Sequence, residues 1–162
     1  MKKIICAILA VCLLISLAAA EGNPAVFSCE DFSITLPEGM RILAEQESAG
    51  YEAAVEADFP NAAETMLAAV SEDEGKAITV SLVESKQDGL AAAKEAAEKI
   101  LGSSTNVKEN TYGKNTCGSL ICAVGDLQFE LYYLSNGEKL MIVGFSGVER
   151  TEIEETLSGI SF

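Results

Sequence analysis

The sequence contains no histidine and no tryptophan. Without histidine, the chain has no Ser-His-Asp triad, no Cys-His pair, no imidazole metal site and no histidine pH switch. The patterns G-x-x-x-x-G-K-[ST] and G-x-G-x-x-G are absent as well, so no phosphate-binding loop is indicated. The lack of tryptophan makes a sugar-stacking platform less expected, although four tyrosines remain.

Positive charge is also scarce. The chain has 11 basic and 25 acidic residues, a net charge of −14, and loss of Lys2 and Lys3 with a signal peptide would make it −16. Such a surface repels nucleic acid and anionic membranes, so we expect neither as a partner. It is compatible with a cationic partner or bound cations, and it also helps to keep an exported protein soluble.

The first twenty residues have the pattern of a secretory signal. Lys2 and Lys3 precede an uncharged apolar run, Ile4 to Leu17, and the small residues Ala18 to Ala20 follow. We predict cleavage after Ala20 and a secreted or extracytoplasmic bacterial protein. The alternative is an uncleaved membrane anchor, because Ile4 to Ala20 is close to the roughly 20 residues that a spanning helix needs. No cysteine lies where a lipoprotein signal requires one.

The remaining chain predicts a short tail, 21–24, and one α+β domain, 25–162. Alternating or continuous apolar runs predict strands, and stretches with helical periodicity predict helices. Short joins within each group of strands favour an antiparallel sheet, with helices packed on one or both faces. The predicted strands are 26–29, 32–36, 66–70, 78–82, 107–112, 116–124, 127–133 and 140–145, and the predicted helices are 48–58, 88–101 and one carrying Ile153 and Leu157 inward.

Several details of these elements can be predicted. Asp88 and Gly102 should cap the helix 88–101, which we expect to cover the apolar side of the sheet. Lys94 and Glu98 are spaced to pair along that helix. Thr151 or Ser146 is a candidate cap for the last helix. In the strand pair 66–70 and 78–82, alternation predicts that one set of residues faces inward: Met66, Ala68, Val70, Ile78, Val80 and Leu82.

Three cysteines lie beyond the signal: Cys29, Cys117 and Cys122. On one continuous strand, Cys117 and Cys122 point to opposite faces and their Cα atoms are roughly 16 Å apart, whereas a disulfide requires about 4.4–6.8 Å. The open alternatives are a bridge from Cys29 to Cys117 or Cys122, and three reduced thiols packed as small hydrophobic groups. Neither a redox C-x-x-C motif nor a zinc site is indicated.

Carboxylates provide the remaining candidates for chemistry. Glu72, Asp73 and Glu74 are adjacent in a predicted turn and form a candidate weak calcium site, although the EF-hand spacing is missing; calorimetry with calcium tests it. Paired carboxylates can hydrolyse substrates without histidine or metal. Two pairs are candidates for such a hydrolase: Glu130 with Glu138 across the Asn136–Gly137 hairpin, and Glu52 with Glu56. We favour solvated surface for all of them.

The chain resembles the PsbP-like and DcrB-like group of small exported proteins. Four patterns carry the resemblance: F-x-x-x-x-F-S-I-T-L-P-E-G at 27–39, one alanine-rich helix after the central hairpin, the Gly118 strand leading into Y-Y-L-S-N-G at 132–137, and L-x-x-I-S-F at 157–162. The usual aromatic after P-x-G is replaced by Met40 and Arg41. The resemblance implies a PsbP-like α/β/α sandwich in an extracytoplasmic protein. PsbP itself is an extrinsic subunit of photosystem II, and many bacterial relatives have no assigned activity.

These observations predict a secreted, non-catalytic accessory or binding module, with no catalytic residues and no cofactor. Its partner would be a protein or a small molecule that the sequence does not identify. The alternatives are the carboxylate-dependent hydrolase and the weak calcium-binding protein.

Overall fold

The computed structural model describes the backbone of residues 24–44, 64–73, 75–124 and 127–162. The signal-like residues 1–20 and the predicted helix 48–58 lie outside these ranges. The described elements, in chain order, are the strands β1 (Val26–Ser28), β2 (Ser33–Thr35), β3 (Met40–Ile42), β4 (Glu64–Ser71) and β5 (Ala77–Glu84), the helix α1 (Gly89–Leu101), the strands β6 (Lys108–Tyr112), β7 (Asn115–Val124), β8 (Leu127–Ser135) and β9 (Lys139–Ser146), and the helix α2 (Arg150–Gly159).

Seven of the described strands form one sheet in the order β3-β4-β5-β9-β8-β7-β6, and β1 pairs with β2 in a separate hairpin. Every neighbouring pair is antiparallel. The strands β6, β7, β8 and β9 follow one another along the chain as a meander, and α1 connects β5 to β6 at the far edge of the sheet. The predicted α+β fold with an antiparallel sheet is confirmed. The strand β3, an edge strand with an exposed Arg41, was not predicted.

The sheet is covered on both faces. On one face α1 packs on β7 and β8, and its small residues Ala92, Ala93 and Ala97 are buried there with Leu120 and Tyr133. The larger core lies on the opposite face, beneath α2 and the β1–β2 hairpin. The expectation that α1 covers the main apolar side was therefore wrong. Several strands bury side chains on both faces, so the sheet presents an apolar surface to each of the two covering layers. The larger core includes Ile34, Leu36, Ile78, Val80, Tyr132, Val143, Phe145, Ile153, Leu157 and Ile160.

The inward residues of β4 differ from the predicted set. The pairing of β4 with β5 shifts register between Thr65 and Leu67, and Leu67 and Ala69 then lie opposite Val80 and Ile78 in the larger core. Ala68 and Val70 point to the other face, although they are also buried. Simple alternation from Met66 failed because this irregularity changes which residues share a face.

At the ends of α1 the predicted capping residues are found, but the predicted ion pair is not. Asp88 Oδ1 accepts a hydrogen bond from the Ala91 amide at 2.8 Å, and Gly102 ends α1 in the left-handed region, as predicted. The pairing of Lys94 with Glu98 was wrong. Glu98 instead accepts hydrogen bonds from the Ser104 amide and hydroxyl, which lie beyond the helix end. The pair that forms along α1 is Glu95–Lys99, at 2.6 Å.

The cap of α2 also differs from the prediction of Thr151 or Ser146. The N-cap is Glu149, and a reciprocal capping box joins it to Glu152. Glu152 also accepts from Lys76 Nζ at 2.8 Å, so the same carboxylate ties α2 to the start of β5. The hydrogen bond from Lys76 accordingly lowers the pKa of Glu152.

Candidate functional site

The cysteines of β7 lie on opposite faces of the sheet, as their spacing predicted. Cys117 is buried in the larger core. Cys122 is buried on the α1 face, because it has the same parity as Leu120 in an unbroken register. Cys29 is half-buried at the β1–β2 turn and packs against the core that contains Cys117. All three are free thiols in the structure, and a bridge from Cys29 stays a prediction.

The buried cysteines have the wrong electrostatics for nucleophilic chemistry. Burial raises the pKa of the Cys117 thiol to about 11, with the Arg150 charge opposing it. Burial also raises the pKa of Cys122. Because the thiolate is the reactive species, both side chains are held in their unreactive form at neutral pH.

The two predicted carboxylate pairs have different outcomes. Glu130 and Glu138 do not face each other: Glu130 pairs with Phe145 in the β8–β9 register, while Glu138 is exposed in the connecting loop. At ~3.3 Å per residue, the five positions from Glu130 to the end of β8 place the two roughly 16 Å apart along the strand. This pairing was wrong because the loop begins only after Ser135. Glu52 and Glu56 lie outside the described residues.

The candidate calcium turn is organised by its own hydrogen bonds. Asp73 Oδ1 accepts from the Ser71 hydroxyl at 2.5 Å and from the Gly75 amide at 3.1 Å. The Ser71 bond, followed by the Gly75 bond, lowers the pKa of Asp73. Glu72 is exposed, and Glu74 is not described. Within the described ranges no group of three acidic, histidine or cysteine side chains could hold a metal ion, and the calcium site stays a prediction.

The most organised polar cluster is one that the sequence did not predict. Arg150, the first residue of α2, donates from Nη1 to the Tyr132 hydroxyl at 2.8 Å and from Nε to Glu154 at 2.9 Å. Its Nη2 donates to the Tyr112 hydroxyl. The Tyr132 hydroxyl in turn donates to Glu130 at 2.8 Å, and Arg150 lies 3.5 Å from the same carboxylate oxygen. We call Tyr112, Glu130, Tyr132, Arg150 and Glu154 the arginine cluster.

Three distant segments bring the arginine cluster together. Tyr112 ends β6, Glu130 and Tyr132 alternate on β8, and Arg150 begins α2. The rings of Tyr132 and Tyr112 are almost fully buried, at 1% and 8% exposure, while the Arg150 side chain remains 53% exposed. Burial, and then the hydrogen bond to Glu130, raise the pKa of Tyr132 above its ordinary range. The only sequence signal was the position of Tyr132 among residues that alternate.

The charged groups of the arginine cluster are joined to one another and to the two tyrosines by hydrogen bonds. All three nitrogens of the guanidinium group have a protein acceptor, and the Glu130 carboxylate is engaged by Tyr132 and Arg150. The geometry is that of a tie between α2 and the sheet.

Comparisons with known proteins match the fold but not the sequence. No family model and no curated protein matches the chain. Among solved structures, cyanobacterial PsbP (CyanoP) from Synechocystis sp. PCC 6803 matches with a TM-score of 0.56 and 10% identity over 89% of this chain and 95% of that one. A protein from Bacteroides thetaiotaomicron VPI-5482 matches with a TM-score of 0.55 and 12% identity over 88% of this chain, which spans 48% of that protein.

The fold is PsbP-like. The fold that the resemblance implied is therefore confirmed, including the antiparallel sheet between two covering layers. At this level of identity the likeness concerns architecture alone, and function has to be inferred from the side chains.

Next to the arginine cluster, one corner of the PsbP-like sheet is exposed in the part of the chain that the structure describes. Beyond Ser119, the β7 residue Ile121 lies on the α2 face but is 54% exposed. Its neighbour across the strand pair is Glu130, and the adjacent Gln128 is exposed. We call Ser119, Ile121, Gln128 and Glu130 the open corner. It places a large apolar side chain in a polar rim beside a fixed guanidinium group.

Two shallow clefts lie at the opposite end of the larger core, on either side of Phe162. One, of about 250 Å³, is lined by Lys114, Asn115, Thr116, Leu134, Ser135 and Phe162. The other, of about 220 Å³, lies along the β1–β2 turn. Ligand pockets usually have volumes of roughly 300 to 1,000 Å³, and neither cleft reaches that size. Among the helices of the described ranges, none is long and apolar enough to cross a membrane.

Proposed function

We propose that this protein is a secreted, non-catalytic accessory module that binds a partner protein through the open corner. The observation that carries the proposal is the state of the arginine cluster, in which each charged group that converges beside the open corner already has a protein partner. Hydrogen bonds that involve a charged partner are stronger than neutral ones, and we infer that these bonds stabilise the surface.

The export step is proposed from the first twenty residues of the sequence. Lys2 and Lys3, the apolar run Ile4 to Leu17 and the small residues Ala18 to Ala20 have the three parts of a secretory signal. The net charge of −14 adds a long-range attraction toward cationic surfaces. We therefore propose that the partner presents a basic rim.

A protein partner is favoured over a small molecule by the shape of the surface. The two clefts are shallow and small, whereas protein interfaces use flatter patches with a central apolar or aromatic anchor and a polar rim. Ile121 has the exposure of such an anchor, and Gln128 and Glu130 form part of the rim.

The test is an affinity pull-down from the secreted fraction of cells that make the protein, with three baits. The parent chain and Leu101→Lys should capture the same basic protein, because Leu101 is a comparably exposed apolar residue, at 41%, at the far end of α1. Ile121→Lys should lose it. Equal capture by Ile121→Lys and the parent would show that the open corner is not the interface.

A further inference from the structure

The loop that connects β8 to β9 contains Asn136, Gly137 and Glu138, all exposed. Asn136 Oδ1 accepts hydrogen bonds from the Glu138 amide at 3.0 Å and from the Lys139 amide at 2.8 Å. The Gly137 amide donates to the Ser135 hydroxyl at 3.2 Å. The Asn136 side chain is therefore held over the backbone that follows it by the two hydrogen bonds that its Oδ1 accepts.

We propose that Asn136 is a site of spontaneous deamidation, by which the exported protein gains a carboxylate and an isomerised backbone with age. The Gly137 amide nitrogen attacks Asn136 Cγ, and its proton passes to hydroxide. The bond from Cγ to Nδ2 breaks, and the nitrogen leaves as ammonia after taking a proton from water. Water then opens the resulting cyclic imide at either carbonyl carbon, which gives aspartate or isoaspartate. The net reaction consumes one water and releases one ammonia, with no oxidant or cofactor.

Two features of the loop favour this reaction. Negative charge develops on Oδ1 as the nitrogen attacks, and two backbone amides already donate to that oxygen. Donors aimed at a developing oxyanion lower the barrier to its formation. The nucleophile belongs to a glycine at φ +93°, and no atom lies within 4 Å of the place where its β-carbon would be. The attacking nitrogen therefore has no side chain of its own residue beside it, and its one side-chain contact is the hydrogen bond to the Ser135 hydroxyl.

Other asparagines in the described chain lack this combination and are internal controls. Asn106 is exposed but precedes Val107, whose branched side chain shields the amide. Asn115 precedes Thr116, and its Nδ2 donates to the carbonyl oxygens of Leu157 and Ile160 at 2.8 and 3.0 Å. Its amide is held in place by helix α2.

The two products should affect the loop differently. Aspartate keeps the oxygen that accepts from Glu138 and Lys139, so the turn persists with one more negative charge. Isoaspartate inserts a methylene group into the main chain of the loop itself, at residue 136. Lys139 would then shift from its 2.5 Å ion pair with Asp31, which ties the β1–β2 hairpin to the sheet. Ageing at Asn136 would loosen that hairpin. The inference does not depend on the proposed binding function.

The test is incubation of the purified protein in mildly alkaline buffer, followed by peptide mapping that separates aspartate from isoaspartate. Loss of the side-chain amide should be at least about tenfold faster at Asn136 than at Asn106 or Asn115 in the same molecules. Gly137→Ala should slow it at Asn136 alone. Equal rates at the three asparagines, or an unchanged rate in a folded Gly137→Ala variant, would overturn the proposal.

A second measurement tests the consequence. Hydrogen exchange in the β1–β2 hairpin should be faster in the isoaspartate fraction than in an Asn136→Asp variant, which carries the same charge but an ordinary backbone. Equal exchange in both would overturn the link from Asn136 to the hairpin, while the peptide map decides the modification itself.

Discussion

The backbones of Gly89 and Gly118 are in direct contact where α1 begins on β7. A β-carbon on Gly118 would lie 2.4 Å from the Gly89 carbonyl oxygen, and one on Gly89 would lie 2.0 Å from the carbonyl oxygen of Tyr133. Both positions therefore require glycine, because the helix approaches the sheet without an intervening side chain. The small residue Ala93 continues the same contact along α1.

Gly118→Ala should destabilise the protein by about 1–3 kcal/mol, since the added methyl group forces α1 away from the sheet. The measurement is the free energy of unfolding in urea. Gly159→Ala is the matched control, because nothing lies within 4 Å of its β-carbon position at the end of α2. The control should change stability by no more than about 1 kcal/mol, in the stabilising direction. Equal effects of the two substitutions would mean that the close contact does not exist.

Arg150→Met should lower the free energy of unfolding by about 1–3 kcal/mol, because the buried hydroxyl groups of Tyr112 and Tyr132 lose a hydrogen-bond donor. The control is Lys99→Met, which removes a pair in which both side chains are more than half exposed. Such pairs contribute less than about 1 kcal/mol. A loss no greater for Arg150→Met than for Lys99→Met would show that the arginine cluster does not tie α2 to the sheet.

Stability should fall as the pH rises through the range between the unfolded and folded pKa values of Cys117. Burial raises the folded value to about 11, whereas an unfolded cysteine ionises near about 8.5. Because the folded pKa is the higher one, the stabilisation from the buried neutral thiol is fully present below about pH 8.5. It is lost toward about pH 11, because between these two values only the unfolded chain releases the proton. Tyr132 and Tyr133, whose pKa values burial also raises, add to the loss above about pH 10.

The variant Cys117→Ala separates the effect of this thiol on the pH dependence of stability from the effects of other groups. It should reduce stability at neutral pH by leaving a small cavity, but the decline between about pH 8.5 and 10 should be shallower than in the parent by roughly 1–2 kcal/mol. Urea titrations across that range measure it. Parallel curves for parent and variant would contradict the role given to burial.

If oxidation joins Cys29 to another cysteine, the partner should be Cys117 and not Cys122. Cys29 and Cys117 belong to the same core, whereas Cys122 lies on the other face, with the sheet between them. Alkylation without reduction, followed by peptide mapping, distinguishes the pairs. A recovered Cys29–Cys122 peptide would mean that β7 does not have the register found here.

The sequence was informative where one short segment determines the structure. Asp88 and Gly102 bound α1 as predicted, and the five-residue spacing of Cys117 and Cys122 placed them on opposite faces. It was uninformative where distant segments meet. Glu98 turned to Ser104 because the helix ends between them. The arginine cluster could not be predicted, because Tyr112, Tyr132 and Arg150 become neighbours only after the meander closes and α2 lies across it.

The central proposal is that the arginine cluster holds the fold and carries out no reaction. A broad hydrolase screen on the purified protein, repeated with Glu130→Gln, tests it most directly. We predict no turnover by either protein and a lower free energy of unfolding for Glu130→Gln, which weakens the acceptor for Tyr132 and Arg150. Turnover of a substrate by the parent that disappears in a folded Glu130→Gln variant would contradict the account.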